Sequence, residues 1–163
     1  MITSATLPDR LLLRRAGRID ARALARLRAA SLLEQRLLEP AAAPAFEDGA
    51  ERSFATLLRD ERLAAWVLEV DGCVRGSACV LFWERLPYAE TALHAELSGV
   101  YVDPAYRRNG FARELCREAI DAARGRGARR ITVHPSPSAV ALYRELGFER
   151  GNEMRLRPAD TNA

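Results

Sequence analysis

One stretch constrains this chain more than any other: V-Y-V-D-P-A-Y-R-R-N-G-F-A-R, residues 100–113. Val100 and Val102 alternate with Tyr101, the pattern of a short half-buried strand. Pro104 ends that strand, because proline has no N–H to give to a ladder. Arg107, Arg108, Asn109 and Gly110 then lead into an amphipathic helix. The N–H groups at a helix start lack internal partners, and the dipole there favours negative charge. Gly110 puts no side chain in front of them, and Arg107, Arg108 and Arg113 bring full positive charge. Phe111 and Ala112 complete a strand–turn–helix unit with the parts of a pyrophosphate cradle. The same stretch contains neither G-x-x-x-x-G-K-[ST] nor G-x-G-x-x-G, which argues against a nucleotide P-loop and a dinucleotide fingerprint.

The rest of the chain limits the alternatives. At 163 residues it is long enough for one domain, 1–163, with a substantial core. Apolar residues make up 48% and charged residues 29%, an ordinary globular balance. All 25 positive side chains are arginine, yet the net charge is only +3, too small to argue for nucleic acid or an anionic membrane. The arginines are spread over several predicted helices and are not clustered with aromatics. No apolar run is long enough for a bilayer span, and no secretory leader is legible at the start. Cys73, Cys79 and Cys116 lack C-x-x-C spacing and read as reduced, buried thiols in a cytoplasmic protein. With two histidines, His94 and His134, far apart in sequence, no metal site is expected.

Patterning gives the order of elements. Residues 10–15 read as a first strand, with Leu11 and Leu13 on one face. Asp20 reads as an N-cap for a helix over 21–38, which Pro40 closes; the Ala-Pro stretch 40–45 reads as a loop. A shorter helix over 50–59 buries Phe54, Leu57 and Leu58. Strands follow at 63–70 and 73–83, joined by the hairpin signal Asp71-Gly72. The strand over 93–102 delivers the Arg-rich turn, and Ser98-Gly99 breaks its alternation, which predicts a bulge. The next helix, 110 to about 124, carries the stripe Phe111, Leu115, Ala119, Ala122, widened by Ala112, Cys116, Ile120 and Ala123. A short strand at 129–134, a helix at 137–146 closed by Gly147, and a last strand or hairpin over 148–157 complete the reading.

Two motifs in this order carry a resemblance. R-x-x-G-x-A, from Arg107 to Ala112, fits [QR]-x-x-G-x-[GA]. Ser136 to Phe148 fits N-x-x-A-x-x-L-Y-x-x-x-G-F through Ala139, Leu142, Tyr143, Gly147 and Phe148, with Ser136 in place of the asparagine. One strand fits between them. The chain therefore resembles the GCN5-related N-acetyltransferases, strongly over 96–148 and only in architecture before that. The resemblance implies an α/β (α+β) fold: a central mixed, mostly antiparallel sheet with a bulged strand and helices on both faces. It also implies acetyl-CoA as co-substrate, without a metal, and direct transfer to a primary amine. Arg107 to Arg113 would hold the CoA pyrophosphate, and Val100, Tyr101 and Val102 the pantetheine arm. A free strand N–H would meet the thioester oxygen.

Acetyl transfer also needs a proton donor for the thiolate and a base for the amine. By the resemblance Tyr143 is the donor; core packing is the other reading of that side chain. Phenol titrates near ~10 and a thiol near ~8.5, so full transfer costs about 2 kcal/mol in water, and the site is expected to acidify Tyr143 or use it as a hydrogen-bond donor. Glu96 is the first candidate base, Glu84 the second, and His134 is placed near the cleft as base or structural imidazole. Ser136 shortens one polar reach toward the pantetheine. Cys116, on an apolar stripe, is a poor nucleophile. The acceptor, a small-molecule amine or a protein or peptide amine, is not legible; Phe46, Trp83 and Tyr88 are candidates to line its pocket, and core packing accounts for them equally well. Many members of the family are homodimers. A catalytically silent acyl-CoA-binding regulatory domain is the competing reading.

Overall fold

The computed structural model describes residues 10–86 and 93–154. Five strands form one sheet in chain order: β1 (Leu11–Arg15), β2 (Leu63–Val70), β3 (Cys73–Glu84), β4 (Leu93–Val102) and β5 (Arg130–Val133). The first four are antiparallel; β5 pairs with β4 in parallel, after a helical crossover. The Asp71-Gly72 turn has positive φ at both residues, 49° and 78°, the geometry that matches the twist of a two-residue hairpin. β2 is an interior strand covered on both faces, so it is apolar on both and nearly all buried.

Each face carries its own core. On one side lie α3 (Phe111–Gly125) and α4 (Val140–Glu145). The α3 stripe Leu115, Cys116, Ala119, Ile120 and Ala123 packs with Leu68, Val80, Phe82 and Leu97 of the sheet. On the other side lie α1 (Ala21–Glu34) and α2 (Ala43–Arg59). There Leu24 and Leu27 meet Leu63, Val67 and Cys79, and Phe54, Leu57 and Leu58 close the edge. Each of these larger side chains contributes roughly 1.5–3 kcal/mol when fully buried. No helix among the described residues is long and apolar enough to cross a membrane.

Several boundaries differ from the sequence reading. α1 stops at Glu34, not at 38, because Arg36 takes a left-handed φ of 56°. Arg36 N–H then bonds Leu33 O and Leu37 N–H bonds Leu32 O, which satisfies the last carbonyls without a glycine. α2 begins at Ala43, because Pro44 stands in its first turn, where a missing N–H costs nothing. Asp20 precedes α1 but makes no cap bond to it; its carboxylate is taken by Arg14 and by Gly17 N–H. Cys73 is exposed; only Cys79 and Cys116 are buried. Residues 148–154 form no strand, and 155–157 of the expected last strand lie outside the described residues.

The bulge is where the pattern broke. Ser77 pairs with Tyr101 and Cys79 with Ser98, so β4 carries one extra residue. Gly99 absorbs it at φ +60°, and Ser77 Oγ donates to its carbonyl at 2.8 Å. A Cβ on Gly99 would stand 3.3 Å from Cys79 Sγ, so both backbone angle and space favour glycine. Parallel pairing of β4 with β5 ends at Leu97–Val133. Beyond that pair the two strands part, and Ser98 to Val102 keep β3 on one side and an open edge on the other.

Candidate active site

The cradle begins where β4 ends. Asp103 N–H bonds Arg75 O on β3, so its neighbour Val102 turns its backbone groups to the open edge. Arg107 Nε already takes Val102 O at 2.7 Å, which leaves the Val102 N–H. Arg108 (φ 66°) and Gly110 (φ 84°) are both left-handed, and the chain turns sharply into α3. Among the described residues no side chain caps this helix, and the N–H groups of Phe111, Ala112 and Arg113 find no partner at the entrance. They border a groove of about 400 Å³ lined by Val102, Tyr106, Arg108, Gly110, Leu142 and Glu145, among others. A Cβ built on Gly110 meets nothing within 4 Å, so the space before the helix start is open. Open donors, a dipole end and nearby guanidinium groups fit a pyrophosphate.

The arginines do not play one part. Arg107 is a staple: it holds Val102 O, pairs with both oxygens of Glu34 at 2.7 and 2.9 Å, and stacks over Tyr101 at 5.2 Å. Tyr101 OH donates to the same Glu34 at 3.0 Å. Arg113 pairs with Glu145 of α4 across the groove. Asn109 spends its amide on Tyr106 O and Arg107 O, bracing the turn. Among the described residues, Arg108 has no polar partner.

At the fork between β4 and β5 the two sheet faces differ. Tyr143 belongs to the α3 face, 7% exposed, with Phe148 edge-on at 5.8 Å. Burial, and then the nearby Cys116 thiol, push its phenol above the ordinary range. The acidification expected of Tyr143 is therefore absent from this site; the side chain stays a neutral O–H donor. Burial also pushes Cys116 up to about 12, so its thiol is no nucleophile at neutral pH. Ala95 and Leu97 join the α3 core, so Glu96 between them points to the opposite face. There its Oε1 lies 3.9 Å from Nδ1 of His134, one residue past the last pair of β5. Glu84 pairs with Leu93, which puts it on the α3 face and at the far end of β4 from the bulge, away from the fork. Trp83 and His94 tilt against each other at 6.0 Å on the Glu96 side, and desolvation, then Arg85 and Arg130, lower the His94 pKa. Ser136 begins the turn before α4 with its hydroxyl 3.2 Å from that of Ser138. Tyr88 lies outside the described residues.

The model of the Acetyltransferase (GNAT) family matches residues 29–148. The chain belongs to this family. GNAT relatives match parts of it: the N-alpha-acetyltransferase RimI of Mycobacterium tuberculosis is 39% identical over 80 residues, 48% of this chain and 48% of that protein. YjgM of Escherichia coli, named an uncharacterized N-acetyltransferase, is 35% identical over 89 residues, 53% of this chain and 51% of that protein. The chain thus spans about half the length of these curated relatives. In fold, a predicted acetyltransferase from Clostridium acetobutylicum, crystallised with acetyl-CoA, superposes with a TM-score of 0.83 at 21% identity, over 91% of this chain and 96% of that one.

In this GNAT chain, the sequence did not single out two participants, Glu34 and Glu145, and one contact, His134 with Glu96. Glu34 is 73 positions from its partner Arg107, and nothing local marks it. Glu145 stands two residues after Tyr143 inside a quoted motif and was legible as a charge at the groove. The nearness of His134 to Glu96 depends on the β4–β5 register, which the sequence does not print.

Proposed function

We propose that this chain transfers an acetyl group from acetyl-CoA to a primary amine, of a small molecule or a peptide, by direct attack within a ternary complex. The observation that carries this reading is the pairing of a bulged strand with an open edge and an uncapped, glycine-fronted helix start, in one continuous stretch. Acetyl-CoA supplies the activated thioester. The N–H groups of residues 111–113 and Arg108 bind its pyrophosphate, and the free edge of Ser98 to Val102 accepts the pantetheine as an added strand. An N–H of the bulged segment stabilises charge on the thioester oxygen. The amine enters on the Glu96 side, where its proton is drawn off. The thiolate departs toward Tyr143, which donates a hydrogen bond as the C–S bond breaks.

The first test is a thermal-shift titration with acetyl-CoA, against ATP and NAD. A ligand at a hundred times its dissociation constant adds about 2.7 kcal/mol, a rise of roughly 5–10 °C for a chain this size. Release of CoA thiol is then followed with benzylamine, spermidine and an unblocked peptide. Tyr143→Phe should lose about 10²-fold in kcat and keep the acetyl-CoA-induced rise. Equal turnover by Tyr143→Phe would favour a donor other than Tyr143, and no turnover by the parent chain would favour the silent acyl-CoA-binding reading.

A further inference from the structure

Two titratable groups meet at the mouth of the fork, on the face that the thioester must present to its acceptor. Glu96 stands just before the last β4–β5 pair and His134 just after it, with Nδ1 turned to the carboxylate at 3.9 Å. Both side chains are part-exposed, 32% and 42%, so neither is locked in the core. His134 makes no hydrogen bond to any described residue, so its Nε2 has no protein partner among them. Thr132, paired with Glu96, spends its hydroxyl on Ala95 O and does not compete. The other charged groups placed here, Arg85 and Arg130, act on His94 instead.

A carboxylate beside one imidazole nitrogen fixes the tautomer and supports the cation formed when the other nitrogen takes a proton. We propose that His134 is the proton acceptor for the amine and Glu96 its positioning residue, resting on the acetyl-transfer reading above. Nδ1–H is held toward Glu96, and Nε2 presents its lone pair to the acceptor. An acceptor ammonium sheds two protons in all. One passes to Nε2 and on to solvent as the neutral amine forms. The other leaves the nitrogen as the N–C bond forms and the C–S bond breaks, and it ends on the departing thiolate. The gap of 3.9 Å is spanned by one water or closed by a small rotation of the two part-exposed side chains, with or without acceptor.

The pair makes a signature that does not need turnover. With His94→Gln, a single imidazole remains, and long-range proton–nitrogen NMR at about pH 8.5, above the ordinary imidazole pKa, reads its neutral tautomer. The expected result is Nδ1–H, changing to Nε2–H when Glu96→Gln is added. Nε2–H in both overturns the proposal. On any amine that the parent chain acetylates, His134→Gln should lower kcat/KM about 10²-fold while keeping the acetyl-CoA-induced rise in Tm, and Glu96→Gln about tenfold. Parent-level turnover by His134→Gln overturns it as well. If acetyl-CoA gives no rise, the acetyl-transfer reading fails, whereas the tautomer still decides whether Glu96 governs His134.

Discussion

Two arginine clusters in this chain use the same chemistry to opposite ends. Arg14, on the edge strand, holds Asp20 with two nitrogens at 2.8 and 2.9 Å and Glu69 with a third at 2.8 Å. Asp20 is 5% exposed and also accepts Gly17 N–H, so its lone pairs are well used. Its pKa is depressed chiefly by the Arg14 hydrogen bond, against the opposing pull of burial. In the cradle, Arg107–Glu34 and Arg113–Glu145 are paired too, yet those four side chains are 39–56% exposed. A charge pair in water is worth little and exchanges partners easily; one closed off by protein does not. The first cluster fastens the chain's entry to α1. In the second, Arg107 fastens β4 to α1, whereas the Arg113–Glu145 pair spans the groove in water, where, on the acetyl-transfer reading, a phosphate would compete with Glu145 for Arg113.

The comparison yields three predictions. Gly110→Asp should weaken acetyl-CoA binding a hundredfold or more and abolish the Tm rise, because a carboxylate would stand before the open N–H groups; normal binding would misplace the site. Asp20→Asn should cost about 2–3 kcal/mol in chemical denaturation and leave acetyl-CoA binding unchanged. Because the folded pKa of Asp20 lies below the unfolded one, its contribution is present above about pH 3.9 and fades as pH falls through the depressed folded value. The variant should lack that acid step. Glu145→Gln should have the smallest effect: about three- to tenfold tighter acetyl-CoA, with stability changed by less than about 0.5 kcal/mol. Weaker binding in this variant would mean that Glu145 orients Arg113 for the ligand and does not compete with it.

Legibility followed the range of the interaction. The α3 stripe, the Asp71-Gly72 hairpin and the Gly99 bulge were readable because each is decided within a few residues. The end of α1 was not, because an arginine took the left-handed position that glycine usually marks. The start of α2 was obscured by a proline that terminates most helices and begins this one. For Tyr143 the sequence left two readings open, an acidified phenol or a hydrogen-bond donor; burial raises the phenol and leaves the second, and burial is a property of the packed face.

By itself the sequence determined the order of elements as far as α4, the bulged strand, the glycine-fronted helix start and, through two motifs, the family. Periodicity and turn chemistry act locally, so they leave their mark in the order of residues. Only the tertiary structure decided which arginines are already spent, that Glu84 faces away from the fork, and that His134 comes to Glu96. Those facts depend on strand register and on side chains dozens of positions apart, and electrostatic energy is set by distance and by exclusion of water, neither of which is written along the chain.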